Sequence, residues 1–216
     1  MNTHITDKNC IGCLACENIC PRRAITHDIS SGFIRPIIDE AVCIKCGLCS
    51  KVCPKDAVLE ESRFLQQAYA VKSIDISVLN GSTSGGAFSA LADYVMSKNG
   101  VVYGCVLKNG KVQHIRAEKD YSSMRGSKYV QSDLGNTHNC IAEDLLNNKN
   151  VLFTGTPCQC TSVKNVLSVK NIETKNLVLV DFVCHGTTSP ALFSEYISYY
   201  EKKTDKKIDN HLFRAK

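Results

Sequence analysis

The pattern of hydrophobic and polar positions changes character near residue 80. Beyond it, helix-period and strand-period segments alternate. Phe88, Leu91, Ala92 and Val95 form the apolar stripe of an amphipathic helix, and Asn99-Gly100 supplies its stop. Val101–Leu107 is a β-branched run, Asn109-Gly110 is a type I′ hairpin signal, and Val112–Ala117 pairs back. Ile141–Leu146 predicts a helix, Val151–Thr154 a buried strand and Ser162–Leu167 a helix. Leu177–Cys184 predicts a second buried strand, and Leu192, Tyr196 and Tyr199 mark a final helix. This alternation predicts an α/β domain with a mixed sheet.

The first sixty or so residues follow a different rule, an internal repeat. Cys10-Ile11-Gly12-Cys13-Leu14-Ala15-Cys16-Glu17-Asn18-Ile19-Cys20-Pro21 recurs as Cys43-Ile44-Lys45-Cys46-Gly47-Leu48-Cys49-Ser50-Lys51-Val52-Cys53-Pro54. Similar tails follow, Arg22-Arg23-Ala24-Ile25 and Lys55-Asp56-Ala57-Val58. Between the halves, Phe33, Ile34, Pro36, Ile37 and Ile38 predict a short hairpin. Polar Glu60, Glu61, Ser62, Gln66 and Gln67 then lead to alternating Ile74, Ile76 and Val78, which reads as a linker. The predicted fold class is therefore α+β: a small domain over residues 1–60, a linker over 61–79, and the α/β domain over 80–216.

Both repeats read C-x2-C-x2-C-x3-C-P, the run typical of two-cluster bacterial-type ferredoxins. Three thiolates at two-residue spacing sit on one loop and can take three iron corners of a [4Fe–4S] cubane. The fourth cysteine opens a turn pointing away, so it ligates the other cluster. One cluster is thus expected on Cys10, Cys13, Cys16 and Cys53, the other on Cys43, Cys46, Cys49 and Cys20. Gly12 and Gly47 are expected to let backbone amides approach the sulfurs, where hydrogen bonds tune the reduction potential. CxxC pairs also make zinc ribbons, but two complete runs with their following prolines argue against that reading.

Composition changes this picture little. The chain has 216 residues, with 44% hydrophobic and 22% charged, ordinary for a globular protein. The net charge of +5 is modest, and the cluster Lys202, Lys203, Lys206 and Lys207 reads as a solvated helix end, not a nucleic-acid patch. No signal peptide and no membrane-length apolar run is seen, so a cytoplasmic location is expected. Thirteen cysteines in a reducing compartment point to metal and not to disulfides.

Four segments of the second domain carry candidate chemistry. Thr83-Ser84-Gly85-Gly86 precedes a helix, where free amides favour a phosphate. Gly126-Ser127-Lys128-Tyr129-Val130-Gln131-Ser132 offers a cation, hydroxyls and an aromatic face. Gly155-Thr156-Pro157-Cys158-Gln159 and Asp181-Phe182-Val183-Cys184-His185-Gly186 each follow a predicted strand, at the end where α/β sheets bind ligands. Taken singly, each has a plainer reading: a helix N-cap, a surface lysine, buried thiols at Cys158 and Cys184, and a strand-end cap at His185.

Together, in this order behind the cysteine repeats, these segments resemble the coenzyme F420 hydrogenase/dehydrogenase beta-subunit family, over roughly residues 1 to 213. The residues carrying the likeness are Ser82–Phe88, Arg125–Ser132, Phe153–Gln159, Asp181–Gly186 and Ser189-Pro190. The resemblance implies an iron–sulfur flavoprotein oxidoreductase subunit that passes electrons between its clusters and a deazaflavin or similar hydride carrier through FAD. It implies that Ser84, Gly85, Gly86 and Lys128 contact the flavin. It also implies a third [4Fe–4S] cluster on Cys158 and Cys184, completed by a CxxC in a later C-terminal region. The sequence stops at Lys216, so it resembles a C-terminally truncated member. Cys105, Cys140 and Cys160 match no family position and are expected to be structural thiols. A redox partner protein or subunit and a hydride carrier are the implied partners, without nucleic acid. The alternative is an electron-transfer or binding module whose α/β domain carries no flavin.

Protein reconstituted anaerobically should hold about eight irons in the repeat domain. Iron analysis with charge-transfer absorption checks this; one equivalent of zinc and a colourless protein would refute it.

Overall fold

The computed structural model describes residues 9–56, 67–208, 211 and 213. Ala57 and Val58 of the second repeat's tail, and Glu60, Glu61, Ser62 and Gln66 of the expected linker, lie outside the described residues.

The second unit is built on a mixed four-stranded sheet in the order β4-β3-β5-β6. Strand β3 (Val101–Lys108) turns into antiparallel β4 (Lys111–Ala117). Asn109 and Gly110 both have positive φ, at 52° and 70°, the doubly left-handed geometry of the expected type I′ turn. Strands β5 (Val151–Gly155) and β6 (Leu177–Asp181) add in parallel. Alternation along the strands feeds two cores. Val101, Tyr103, Val151 and Phe153 face helices α5 (Thr137–Leu146) and α6 (Pro157–Val169) through Ile141, Leu145, Val163 and Leu167. Val102, Val106 and Leu152 face α4 (Ala87–Ser97) through Ala92 and Val95, with Tyr121 and Met124 completing that side. Asp144, buried on α5, ties the sheet to that helix: the Arg116 guanidinium grips it at 2.7 Å through both Nε and Nη2, and the Tyr103 hydroxyl donates to it.

Several boundaries differ from the sequence expectation. Strand β6 ends at Asp181, not Cys184, and is half-exposed, with Val178 at 42%. It is an edge strand, with no further strand paired beyond it among the described residues. Helix α6 starts before Ser162, because Pro157 occupies its first turn and Thr156 and Gln159 form a capping box. Helix α7 (Pro190–Thr204) buries Phe193 and packs Ile197 against Val112 and Val130, while the expected stripe of Leu192, Tyr196 and Tyr199 is exposed. The seated face is one residue out of phase with that stripe. The alternating Ile74, Ile76 and Val78 are not extended throughout: Asp75 caps a short helix, α3 (Ile76–Asn80). Lys202 and Lys203 lie in the last turn of α7 and are exposed, as are Lys206 and Lys207, as expected of a solvated helix end.

The first unit comprises α1 (Ala15–Ile19), β1 (Ile25–Asp28), β2 (Arg35–Ile38), α2 (Leu48–Lys51) and a 3-10 turn at Pro54–Asp56. The expected hairpin exists, but its other strand is the tail of the first repeat, with Ile25 opposite Ile38. The unit docks on the second through α6. Val166 and Val169 pack with Ala15, Ile19 and Val52, and the Asn165 amide donates to the Val52 carbonyl at 3.3 Å. Asn18 donates to the Gly135 carbonyl at 2.8 Å, and the Ser189 hydroxyl to that of Gly32 at 2.6 Å. Among the described residues no helix is long and apolar enough to cross a membrane.

His27 on β1 also spans the junction, 2.7 Å from Glu17 on α1 and 3.6 Å from Asp133 of the second unit. Burial works against its charged form, but the Glu17 and Asp133 carboxylates outweigh it and hold its pKa above the ordinary 6.5. A raised folded-state pKa gives stability that is full below the unfolded value and is lost as pH rises through the folded one. His27→Gln should therefore lower the unfolding midpoint most on the acid side of neutrality, with the gap closing as pH rises. Denaturation across about pH 5.5 to 8.5 checks this; a constant gap would mean that the imidazolium charge adds nothing.

Candidate functional site

The two cysteine loops share one backbone. Each needs two left-handed residues: Gly12 and Leu14 in the first, at φ 66° and 59°, and Lys45 and Gly47 in the second, at 56° and 76°. Each repeat places its glycine at only one of the two positions, although left-handed backbone favours glycine at both. The surroundings explain which. A Cβ at Gly12 would collide with the Gln131 side chain and the Ile34 carbonyl, whereas one at Gly47 would meet nothing within 4 Å. The first loop is pressed against the second unit at Gly12; the second repeat reaches that unit through Leu48 and Val52, and its Gly47 stands free.

Cys10, Cys13, Cys16 and Cys53 line one pocket, together with Ile11, Leu14, Pro36 and Lys55. This is the crossed set expected from the spacing, since Cys53 belongs to the second repeat. Cys16 and Ile25 pack with Cys20, Cys49 and Ile38, so the first repeat's fourth cysteine lies on the side of the second repeat's Cys49. An amide points at a sulfur at Gly12, as anticipated, with its N–H 3.4 Å from Cys10 Sγ; the other such contact comes not from Gly47 but from Ala24 N–H, 3.3 Å from Cys20 Sγ. Among the described residues no three His, Cys, Asp or Glu side chains converge on a single metal-ion position. A cubane has a different requirement, spreading its thiolates over four separate iron corners.

Burial sets the electrostatics of the pocket. It pushes the Cys13 thiol up to about 12, against the Ala15 amide and the Ser162 hydroxyl, which favour the thiolate. Burial likewise raises Cys16 strongly and Cys49 less. As free thiols these groups stay neutral; deprotonated, they need the compensating charge that cluster iron supplies. The two loops are unequal in exposure. Cys13 and Cys16 are buried, while Cys46 is exposed beside Ile44, at 60%.

The remaining candidate residues scatter. Gly86 caps α4 at φ 84° with no side-chain cap, Ser84 is exposed, and the Gly85 carbonyl accepts from Ser73 N–H at 2.8 Å. Lys128 is not a free surface lysine: its ammonium donates to the carbonyls of Ser123, Met124 and Arg125 at 3.2, 2.9 and 2.7 Å, closing a 3-10 turn. Cys158 lies in the first turn of α6, half-buried, with its sulfur 3.1 Å from Thr156 Oγ1. Cys184 and His185 are exposed beyond β6, so neither a buried thiol there nor a strand-end cap describes them. Cys158 and Cys184 follow adjacent parallel strands, at their C-terminal ends. Cys160 faces the sheet, with Cys140 packed on the same core, and Cys105 packs near Val112 and Val130, consistent with structural thiols.

Sequence reasoning missed the residues that join the units. The Gln131 carboxamide accepts from Ile34 N–H at 2.7 Å and donates to the Ile11 carbonyl at 3.0 Å, clamping the first cysteine loop. Ser132 is buried and accepts from Gln159 at 2.9 Å. No local pattern marks these contacts, although Thr156-x-x-Gln159 behind a strand is a legible helix start.

Residues 9–57 match the family described as 4Fe-4S dicluster domain, and residues 35–119 match a second model of the same description. Residues 148–215 match the family described as the C terminus of the coenzyme F420 hydrogenase/dehydrogenase beta subunit. No curated protein matches the chain. The protein thus carries a 4Fe-4S dicluster domain of the electron-transferring kind, followed by an α/β unit whose last part matches the C-terminal region of an F420 hydrogenase/dehydrogenase beta subunit.

Proposed function

We propose that the chain is an iron–sulfur flavoprotein oxidoreductase subunit. It passes electrons between its [4Fe–4S] clusters and a two-electron carrier, coenzyme F420 or another hydride donor, through FAD held by the α/β unit. The observation that carries this reading is the unequal burial of the two cysteine loops. One set, Cys43, Cys46, Cys49 and Cys20, has no buried member and an exposed Cys46, and suits one-electron exchange with a redox partner protein. The other, Cys10, Cys13, Cys16 and Cys53, is pressed onto the second unit through Gln131 and α6. A free-standing carrier has no need to bury one cluster against another domain.

FAD would supply the one capacity that clusters lack, taking electrons as a hydride and releasing them singly. The chain's own residues would bind and orient it. The amides at the start of α4 carry no side-chain cap, which supports a role for Ser84, Gly85 and Gly86 in holding a phosphate. Cys158 and Cys184 at neighbouring strand ends would supply part of a third cluster's ligands. Thirteen free cysteines fit a reducing, cytoplasmic setting.

One observation favours a second reading, an electron-transfer module without flavin. All three protons of the Lys128 ammonium have carbonyl partners, leaving none for a ligand unless the turn reopens.

Flavin released from anaerobically purified protein, measured against its iron, separates the two. We expect one FAD per chain, bleached on adding reduced F420 or a reduced nicotinamide. Full cluster absorption with no flavin would favour the second reading.

A further inference from the structure

The solvent-facing part of the cysteine repeats has an uneven distribution of charge. Val42 and Ile44, on either side of Cys43, are exposed at 36% and 60%, next to the exposed Cys46. Single apolar side chains on a surface need no explanation of their own. The charges near them do. Lys45 precedes Cys46, Lys51 lies in the last turn of α2, and Arg22 and Arg23 follow Cys20-Pro21; all four are exposed.

Backbone contacts gather these segments. Arg23 N–H donates to the Cys20 carbonyl at 3.2 Å, and the Ala24 carbonyl accepts from Asp39 N–H at 2.8 Å. The Asp39 carbonyl accepts in turn from Val42 and Cys43 N–H at 3.2 and 3.0 Å. The arginine tail of the first repeat is thus tied to the turn that leads into Ile44 and Lys45. Cys20 packs in the same cluster as Cys49, two residues before Lys51 on α2.

Among the described residues none of these four cations has an ion-pair partner, unlike Arg116, Lys149, Lys175 and Lys207. Two carboxylates share the region. Asp39 accepts from Ala41 N–H at 2.9 Å, and Glu40 is exposed. Four unpaired cations outweigh them, so the surface beside these cysteines is positive.

We propose that Val42 and Ile44, with Arg22, Arg23, Lys45 and Lys51, form the docking surface for an acidic one-electron carrier protein. Apolar contact beside the thiolates displaces water at the point of approach. The cations steer a partner of opposite charge to it and disfavour a basic one. One electron then leaves the reduced centre of the carrier and enters the cluster on Cys20, Cys43, Cys46 and Cys49, with no bond made and no proton moved. The inference rests on the reading of this cysteine set as the cluster that meets the redox partner.

The test is calorimetric binding of an oxidised plant-type ferredoxin, used as the acidic probe, to the reconstituted full chain. Raising ionic strength from about 0.01 to about 0.15 M shortens the screening length from about 30 to about 8 Å, and affinity should fall at least about tenfold. Lys45→Glu with Lys51→Glu should weaken binding about tenfold at low salt and approach the wild type at high salt. Lys202→Glu with Lys206→Glu, on the basic end of α7, should bind as the wild type does. No binding at low salt, or an equal loss in both double variants, would overturn the inference. If the first double variant loses iron, Arg22→Glu, outside both cysteine runs, decides: unchanged affinity would overturn the inference. Dithionite reduction of the same wild-type sample is the control, since a protein without two reducible clusters would overturn the cluster reading instead, and this inference with it.

Discussion

Helix α6 has to satisfy two neighbours at once, and the rest of the molecule is arranged around that constraint. One face carries Val163 and Leu167 into the sheet core; the other carries Asn165, Val166 and Val169 to the cysteine repeats. Val163, Leu167 and Val166 all have no solvent exposure, so apolar residues on both faces of the helix are covered. The first unit, short of core residues of its own, obtains through α6 the apolar surface that a domain of its size cannot build alone. The clamp at Gln131 and the polar links through Asn18, His27 and Ser189 then fix the orientation in which that surface is shared.

The same constraint breaks the symmetry of the repeat. Two loops with one backbone are placed in different surroundings, and the sequence of each has adapted to its own. Gly12 is glycine because the Gln131 side chain and the Ile34 carbonyl leave no room for a Cβ, while Lys45 at the equivalent position is free to be a lysine. Burial at Cys13 and Cys16 makes an uncompensated thiolate costly, and an exposed Cys46 carries no such penalty. Two chemically similar centres thereby gain different access to solvent and to partners.

The α/β unit separates residues that look alike in sequence. Gln131 and Ser132 belong to the same segment as Lys128, yet they turn to the repeat domain and to α6, while Lys128 closes its own turn. Cys158 and Cys160 are two residues apart on α6; one lies at the start of the helix near Thr156, the other against the sheet. One seven-residue segment therefore divides its side chains between docking onto the repeats, bonding to α6 and closing a local turn.

By itself the sequence determined the paired cysteine runs of a dicluster domain, the mixed sheet, the Asn109-Gly110 turn and the order of the elements. These follow from local spacing and periodicity, which act within a few residues. It misjudged the outer side of β6 and the seated face of α7, because exposure at an edge depends on what lies beyond it, not on the strand or helix itself. It was silent on how Gln131 and Asn165 join the units, since their partners stand 97 or more residues away for Gln131 and 113 for Asn165. Only the tertiary structure decided that the first loop buries Cys13 and Cys16 while the second leaves Cys46 exposed, because the two runs share one cysteine spacing and burial depends on the neighbour.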